Sequence, residues 1–503
     1  MSIFGSSTRK AVERAKNSYY VLKSGNFGHI SKPVAQQMGS QALKFCDVTL
    51  RDGQQQQIDK VTQEQRVEVF DAIVRTGVDR VEIGHLGNPV DQDFAHRLVG
   101  HIAEQEKTDE LYKNVQLQVL FGSQPELIEA GSQVLVGAFQ EFYPDNWQEE
   151  MQKRVVVHVY DRIDGSLRQA SSEAYTMEQS AARVVEAAML ARDKGIVNFS
   201  ISGEAATTAS PEEAIQFYRY ITAWLVNTGA DSVNVNLANT YGFSPNEVWN
   251  AGTLTIFNEA IKHGLDDKVT TSIHAHNDVN SANDFTWSAI VAGFDRVEST
   301  HIGMGERVGN VASVDVVSRI LELARQQKIT PEMKKSAISR LAGRFMTQHT
   351  VKLDEQIVIN LVKWYESGEI LANIYGQHAR DRWHKTSLGN PSAHDNGSGP
   401  HDQMMAKAIE DPLNYPPYMN YEWLLAINSI MGRPGTGELA VGDPAWVDKV
   451  TVGNDAGGGK TQLIKSGQIV RANPEIVQQA EINFDDFKRK ITGRLLEGVV
   501  IRV

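Results

Sequence analysis

From Lys44 onward the chain repeats one unit eight times, a short β-branched apolar run followed by a longer segment with helical spacing. The strand-like runs lie at 44–50, 80–85, 116–122, 155–161, 197–204, 232–239, 270–277 and 296–302. The segments between them carry helix ends. "EQSAARVVEAAMLARDKG" closes on a basic turn and a glycine. "SPEEAIQFYRYITAWLVNTG" opens with Ser210 as N-cap and Pro211 at the first helical position. Eight such units over roughly 285 residues, against about 250 for a usual barrel, predict an α/β fold, a (β/α)8 TIM barrel over 44–330. A doubly wound open sheet is the alternative. It would place a glycine-rich phosphate loop after its first strand, and "TLRDGQQQQ" is not one.

The flanks read differently. Residues 1–43 form an N-terminal arm, a basic amphipathic helix followed by a Gly/Ser/Gln-rich stretch. Beyond 330, helical segments at 331–347 and 354–370 lead into "HKTSLGNPSAHDNGSGPHDQMM", a loop with His384, His394 and His401. Long loops in compact proteins are commonly functional or disordered. Residues 331–430 are expected to form a mainly helical α+β linker subdomain carrying this loop, and 431–503 a small α/β subdomain. "GNDAGGGKTQ" imitates a phosphate loop, but the pattern requires glycine where Asn454 stands, so it reads as a hairpin or loop.

Composition excludes several roles. A net charge of −12 with no Lys/Arg run speaks against nucleic acid. No run of 18 apolar residues is present to span a membrane, and the N-terminus lacks the apolar core of a secretory signal. The single cysteine, Cys46, rules out an intrachain disulfide or a cysteine-based zinc site and suits a reducing, cytoplasmic compartment.

In a barrel, chemistry sits at the C-terminal ends of the strands. Here those ends supply Arg51 and Asp52, Glu82 and His85, His158 and Tyr160, Ser202 and Glu204, Asn236, Asn239 and Thr240, then His274 and His276. Glu306, Arg307 and Asn310 follow the eighth strand. Residues i and i+2 share a strand face, so His274 and His276 can point into the mouth together and suit a divalent metal. Two core histidines bonded to backbone are the plainer alternative. Asp52 at the same mouth, and the apolar habit of barrel interiors, favour the metal. Asn310 can add an amide oxygen. Arg51 can stabilise an oxyanion or enolate, or serve as a rim ion pair. Glu204 is a general acid/base or water-orienting group, or a rim carboxylate. The glycines of "GMGERVGN" (303–310) can let backbone approach a phosphate or thioester.

"DVTLRDG", "HAHND" and "GMGERVGN", in this order on strands 1, 7 and 8, resemble the metal-dependent Claisen-condensing barrel family. That family includes 2-isopropylmalate, homocitrate, citramalate and Re-type citrate synthases and hydroxymethylglutaryl-CoA lyase. "FCDVTLRDGQQQQID", "QVLFGSQPELIE", "VVVHVYD", "FSISGE", "NLANT" and "SGPHDQMMAK" look most like the 2-isopropylmalate synthase branch, over about 44–430. The resemblance implies condensation of acetyl-CoA with a 2-oxo acid, 2-oxoisovalerate in that branch, in amino-acid (leucine) biosynthesis by a homodimer. It assigns Asp52, His274, His276 and Asn310 to Mg2+, Mn2+ or Zn2+, and Arg51 to the 2-oxo group or nascent alkoxide. Glu204 and Thr240 would line the site, with His158 and Ser202 bordering the acceptor side chain and His85 beside them. Gly303, Gly305, Glu306 and Arg307 would meet acetyl-CoA. His401 and Tyr418, with Tyr415 as a rival, match the catalytic His and Tyr that reach across a dimer.

The departures are "QQQQ" after Arg51-Asp52-Gly53, His85 in "GHLGNP" where the branch has an apolar "GFP", and Ala238 where it has proline. They imply a more polar, roomier mouth. The chain ends at Val503 without the branch's leucine-sensing domain, so leucine feedback is not expected, and 2-oxoglutarate or oxaloacetate stays open as acceptor. A lyase of the family would carry a catalytic cysteine in the loop after strand 8, which here has none. A biotin-dependent carboxyltransferase shares the barrel, but no biotin-carrier segment is visible.

Overall fold

A computed structural model describes residues 42–55, 61–170, 174–242, 248–265, 268–326, 348–383, 385–386, 489 and 492–502. Eight parallel strands follow one another in chain order: β1 (Ala42–Asp47), β2 (Arg80–His85), β3 (Gln116–Gly122), β4 (Val155–Arg162), β5 (Asn198–Glu204), β6 (Ser232–Asn239), β7 (Val269–Ala275) and β8 (Arg296–Ser299). β8 pairs with β1 through Lys44↔Arg296 to Asp47↔Ser299, which closes the barrel and removes the open-sheet alternative. Two further strands extend this seam: β9 (Gln348–Leu353) lies parallel to the first residues of β1, and β10 (Val499–Arg502) lies antiparallel to β9.

Three predicted strands run past their true ends. β1 stops at Asp47 because the amides of Arg51, Asp52 and Gly53 all turn back to the Val48 carbonyl, which makes Arg51 and Asp52 turn residues. β7 stops at Ala275, and His276 instead forms an isolated bridge with Asn310. β8 stops at Ser299 rather than 302. The two helices read from their ends are present as Met177–Asp193 and Pro211–Asn227, each opened by a reciprocal capping box, from Thr176 with Gln179 and from Ser210 with Glu213.

The outer faces of the strands pack apolar side chains such as Val81, Ile83, Val157, Phe199 and Val235 against the helices. The inner face contradicts the expected apolar filling. Arg80, Glu82, Gln118, His158, Ser200, Asn234, Asn236, Ser272 and Glu298 are buried polar groups joined by hydrogen bonds, with Asn236 Oδ1 left without a partner among the described residues. Glu298 accepts from Ser272 (2.7 Å), Asn236 (2.9 Å), Asn234 (3.1 Å) and Gln118 (3.4 Å). Gln118 also donates to Glu82 at 3.0 Å and accepts from Arg80 at 3.3 Å. A buried carboxylate is tolerable in such company because each donor replaces lost water.

After the barrel, the helix Leu361–Ile374 packs on the helix Gln63–Val74, with Ser367 Oγ donating to the Ala72 carbonyl at 2.5 Å. Trp364 stacks on His301 beside β8, and Tyr375 accepts from Gln54 next to the Arg51-Asp52 turn. The predicted helix 331–347, the phosphate-loop look-alike and the arm up to residue 41 lie outside the described residues. No helix among the described residues is long and apolar enough to cross a membrane.

Candidate active site

Asp52, His274 and His276 meet at the C-terminal mouth of the barrel, all of them buried. The Nε2 atoms of the two histidines are 3.3 Å apart, and Asp52 Oδ2 stands 3.2 Å from His274 Nε2 and 3.8 Å from His276 Nε2. Ligand atoms about 2.1 Å from one metal ion at tetrahedral or octahedral angles are roughly 3.0–3.4 Å apart, so two of the three separations match a shared divalent cation and the Asp52–His276 one is wider. Electrostatics agree. Burial alone would raise the Asp52 carboxyl, but Arg51, His274 and His276 hold it well below the usual carboxylate range. Burial, then the neighbouring His274, lowers His276 to about 3, so its ring is neutral at physiological pH.

Asn310 comes to the same place from the loop after β8. Its Nδ2 donates to the Met304 carbonyl at 3.2 Å, which leaves a buried Oδ1 with no partner among the described residues. That orphaned oxygen is what a metal ligand would show before loading. The Nδ1 atoms of both histidines are also buried without a partner among the described residues. Gly305 explains part of the loop's sequence. Its φ is +150°, and a Cβ there would press on Asn310 Nδ2 and lie 2.9 Å from Asp52 Oδ1. The Glu306 amide donates to that same oxygen at 3.1 Å.

Arg51 is fixed on two sides, with Nε 2.5 Å from Glu82 Oε2 and Nη1 donating to Asp52 Oδ2 at 2.9 Å and to Gln55 at 3.2 Å. Glu82 is fully buried; burial opposes its charge, but Arg51 and His158 hold its carboxyl far below the ordinary range. Its Oε1 lies 2.6 Å from His158 Nδ1, and His158 Nε2 lies 2.7 Å from Ser202 Oγ. The carboxylate on Nδ1 and the hydroxyl on Nε2 hold the imidazole between them and fix its orientation. An unbroken chain of polar contacts therefore runs from Asp52 through Arg51, Glu82 and His158 to Ser202.

The other predicted residues are placed more loosely. A register shift between Glu82 and His85, with Gly84 at φ +153°, turns His85 to the mouth, where it faces Tyr160 edge-on. Glu204 pairs with Arg162 at 3.3 Å on the half-open rim, and no contact joins it to the histidine pair among the described residues. Thr240 Oγ1 accepts from the Ala205 amide, and its carbonyl accepts from Arg307. Arg307 also grips Asp278 at 2.7 and 3.0 Å, so it clamps the loops after β6 and β7. Gly303 has φ +80° and lies beside Asn310 and Ala312. His401, Tyr418 and Tyr415 lie outside the described residues. Strand alternation missed Glu298 and Gln118, which gave no signal except polar residues spaced two apart in otherwise apolar strands.

The sequence profile of the HMGL-like family matches residues 42–343, the whole barrel. The chain belongs to the HMGL-like family. Curated relatives include 2-isopropylmalate synthase from Mesorhizobium japonicum, 28% identical over 321 residues, covering 62% of this chain and 52% of that one. The 2-isopropylmalate synthase of Rhizobium meliloti is 29% identical over 313 residues, covering 60% and 50%. The chain thus spans about half the length of the curated relatives it matches. Among solved structures, the hydroxymethylglutaryl-CoA lyase of Pseudomonas aeruginosa aligns at TM-score 0.45 and 16% identity, covering 68% of this chain and 95% of that one. Cys46, the single cysteine of this HMGL-like chain, is buried inside the barrel beside Glu298, far from any role in the loop after β8.

Proposed function

We propose that the protein is an acyltransferase that condenses acetyl-CoA with a 2-oxo acid and releases CoA and a 2-hydroxy-2-alkyl dicarboxylate, most like 2-isopropylmalate synthase. The observation that carries this reading is the Asp52–His274–His276 cluster beside Arg51, within a barrel of the HMGL-like family. Asp52, His274, His276 and Asn310 would hold Mg2+, Mn2+ or Zn2+, and the bound cation would supply Lewis-acid polarisation of the keto group.

The chain's own residues do the rest. Arg51, oriented by Glu82, faces the carbon that receives the new bond and neutralises the alkoxide formed there. Proton removal from the acetyl methyl yields the enolate that attacks the ketone, and one water then splits the thioester, its hydroxyl going to the new carboxylate and its proton to the thiolate. His401 and Tyr418, supplied across a homodimer, are our candidates for acid/base work. Glu204 on the rim is our candidate to orient the hydrolytic water. His85, His158, Ser202 and Thr240 would border the acceptor; because these are polar, homocitrate-, citramalate- or Re-citrate-type acceptors belong in the test beside 2-oxoisovalerate. A cytoplasmic setting and an amino-acid biosynthetic role, leucine in that branch, are part of the same proposal. Purified protein with Mg2+ or Mn2+, acetyl-CoA and a panel of 2-oxo acids should release free thiol. No thiol with any acceptor would refute the proposal.

A further inference from the structure

The loop that carries Asn310 is gripped from outside the barrel by an arginine that the proposed chemistry does not use. Arg382 stands near the end of the short helix Gln377–Trp383, and its Nη2 donates to the Val308 carbonyl, two residues before Asn310. Its guanidinium also lies against Gly309, where a Cβ would come within 2.9 Å of Nη1. Gly309 has φ +95°, and a side chain there would collide with the Gly303 carbonyl as well. Arg382 forms no ion pair among the described residues, so its charge is spent on backbone.

That backbone joins two ligand-bearing loops. The Gly309 carbonyl accepts from the Asn277 amide at 2.9 Å, one residue after His276, and the Gly309 amide donates to the Glu306 carbonyl at 3.0 Å. The Asn310 amide then donates to the Gly303 carbonyl at 3.2 Å, which sets the main chain from which Oδ1 projects. Arg307 ties the same loop to Asp278. The helix bearing Arg382 is anchored in turn. Trp383 Nε1 donates to Glu369 Oε1 at 2.5 Å, Tyr365 donates to the same oxygen at 3.0 Å, and the two rings meet at 5.4 Å. The Trp364 carbonyl accepts from His301 at 2.8 Å. The post-barrel helices therefore hold the loop after β8 near both of its ends, at His301 and at Val308.

We infer that Arg382 is a positioning residue for the metal centre: through Val308 and Gly309 it sets where Asn310 Oδ1 stands relative to Asp52, His274 and His276. The inference rests on the reading of that cluster as a divalent-cation site. Groups that orient a metal ligand from behind are worth about 10–100-fold in affinity. Charge alone argues the other way. A guanidinium near a divalent cation repels it, so its removal would tighten binding. The sign of the change separates the two effects. Lys385 supplies the comparison, since it lines the cleft beside this loop and is exposed, with no side-chain bond to the loop among the described residues.

Mn2+ binding to the full chain is measured calorimetrically for the parent, Arg382→Gln, Arg382→Lys, Lys385→Gln, Asn310→Ala and Arg382→Gln/Asn310→Ala, with melting temperatures alongside. Arg382→Gln should bind Mn2+ about tenfold more weakly. Arg382→Lys, which keeps one donor, should lose less, and Lys385→Gln should bind as the parent does or slightly tighter. With Asn310 replaced by alanine, Arg382→Gln should cost nothing more, because it acts through that side chain. If Arg382→Gln does not fold, Arg382→Lys takes its place in the cycle. Equal or tighter binding by Arg382→Gln would overturn the inference, as would a matching loss in Lys385→Gln. A loss that simply adds to that of Asn310→Ala would overturn it too, being the mark of a merely structural arginine. Failure of the parent to bind Mn2+ would refute the metal site and this inference with it. Calorimetry needs no turnover, so an absence of thiol release would sink the acyltransferase proposal without deciding this one.

Discussion

Arg51 and Glu82 are joined Nε to Oε2 at 2.5 Å, although Arg51 lies in the turn after β1 and Glu82 in β2, and of the two only Arg51 touches the Asp52 carboxylate. Glu82 thereby sets the direction of the guanidinium without reaching the histidine pair. Glu82→Gln keeps the shape and removes the charge. Breaking one partner of a buried ion pair costs about 3–5 kcal/mol, so denaturant unfolding should shift by an amount of that order. Thiol release should fall about 100-fold, as when an oxyanion donor is misplaced. An unchanged rate would show that Arg51 does not need this anchor.

His276→Ala should abolish turnover and weaken binding of Mn2+ or Zn2+ by at least tenfold in calorimetry, since it removes one of three clustered ligand atoms. Treatment with a chelator should stop thiol release, and readdition of the metal should restore it. Full activity of metal-free His276→Ala would exclude the claw.

Gly305→Ala should impair the metal centre without altering any ligand. The new methyl would collide with Asn310 Nδ2 at a backbone angle that side chains rarely adopt. A destabilisation of about 1–3 kcal/mol and a parallel loss of metal affinity are expected, with near-parental far-UV circular dichroism.

Stability should respond to Asp47. Burial pushes its carboxyl up to about 7, against hydrogen bonds from Thr49. A raised folded-state pKa means that the folded chain holds the proton more tightly than the unfolded one. The contribution is therefore complete below about pH 4 and is lost as pH rises through 7. The difference from 3.8 corresponds to roughly 4 kcal/mol, an upper bound. His301, lowered by burial to about 4, acts in the opposite sense and loses its contribution as pH falls from about 6.5 to 4. Asp47→Asn should gain on the parent in urea unfolding as pH rises from 5 to 8. A constant difference across that range would disprove the assignment.

The barrel was legible because eight apolar β-branched runs alternate with capped helices, and local chemistry such as Thr176 and Ser210 marks their starts. The Asp52–His274–His276 cluster was legible because strand ends converge on one mouth. Arg307 stood out as a site residue, but its clamp on Asp278 and Thr240 did not, since those partners lie on other loops and a loop arginine carries no periodicity. The polar interior was misjudged for a related reason. Gln118, Asn234 and Glu298 look unfavourable strand by strand and become tolerable only when the closed ring brings them together. The link from Gln54 to Tyr375 spans 321 residues, beyond any local pattern.

That interior has a consequence for how the chain finds its register. In a barrel filled with valine and leucine, a strand slipped by two residues still turns apolar groups inward and pays little penalty. Here the same slip would leave Glu298 without Asn236 and Ser272, and Arg80 without Gln116 and Gln118. Each misaligned arrangement would strand a charge in a dry interior. The barrel's polar filling thus acts as a code that only one alignment of the eight strands can read.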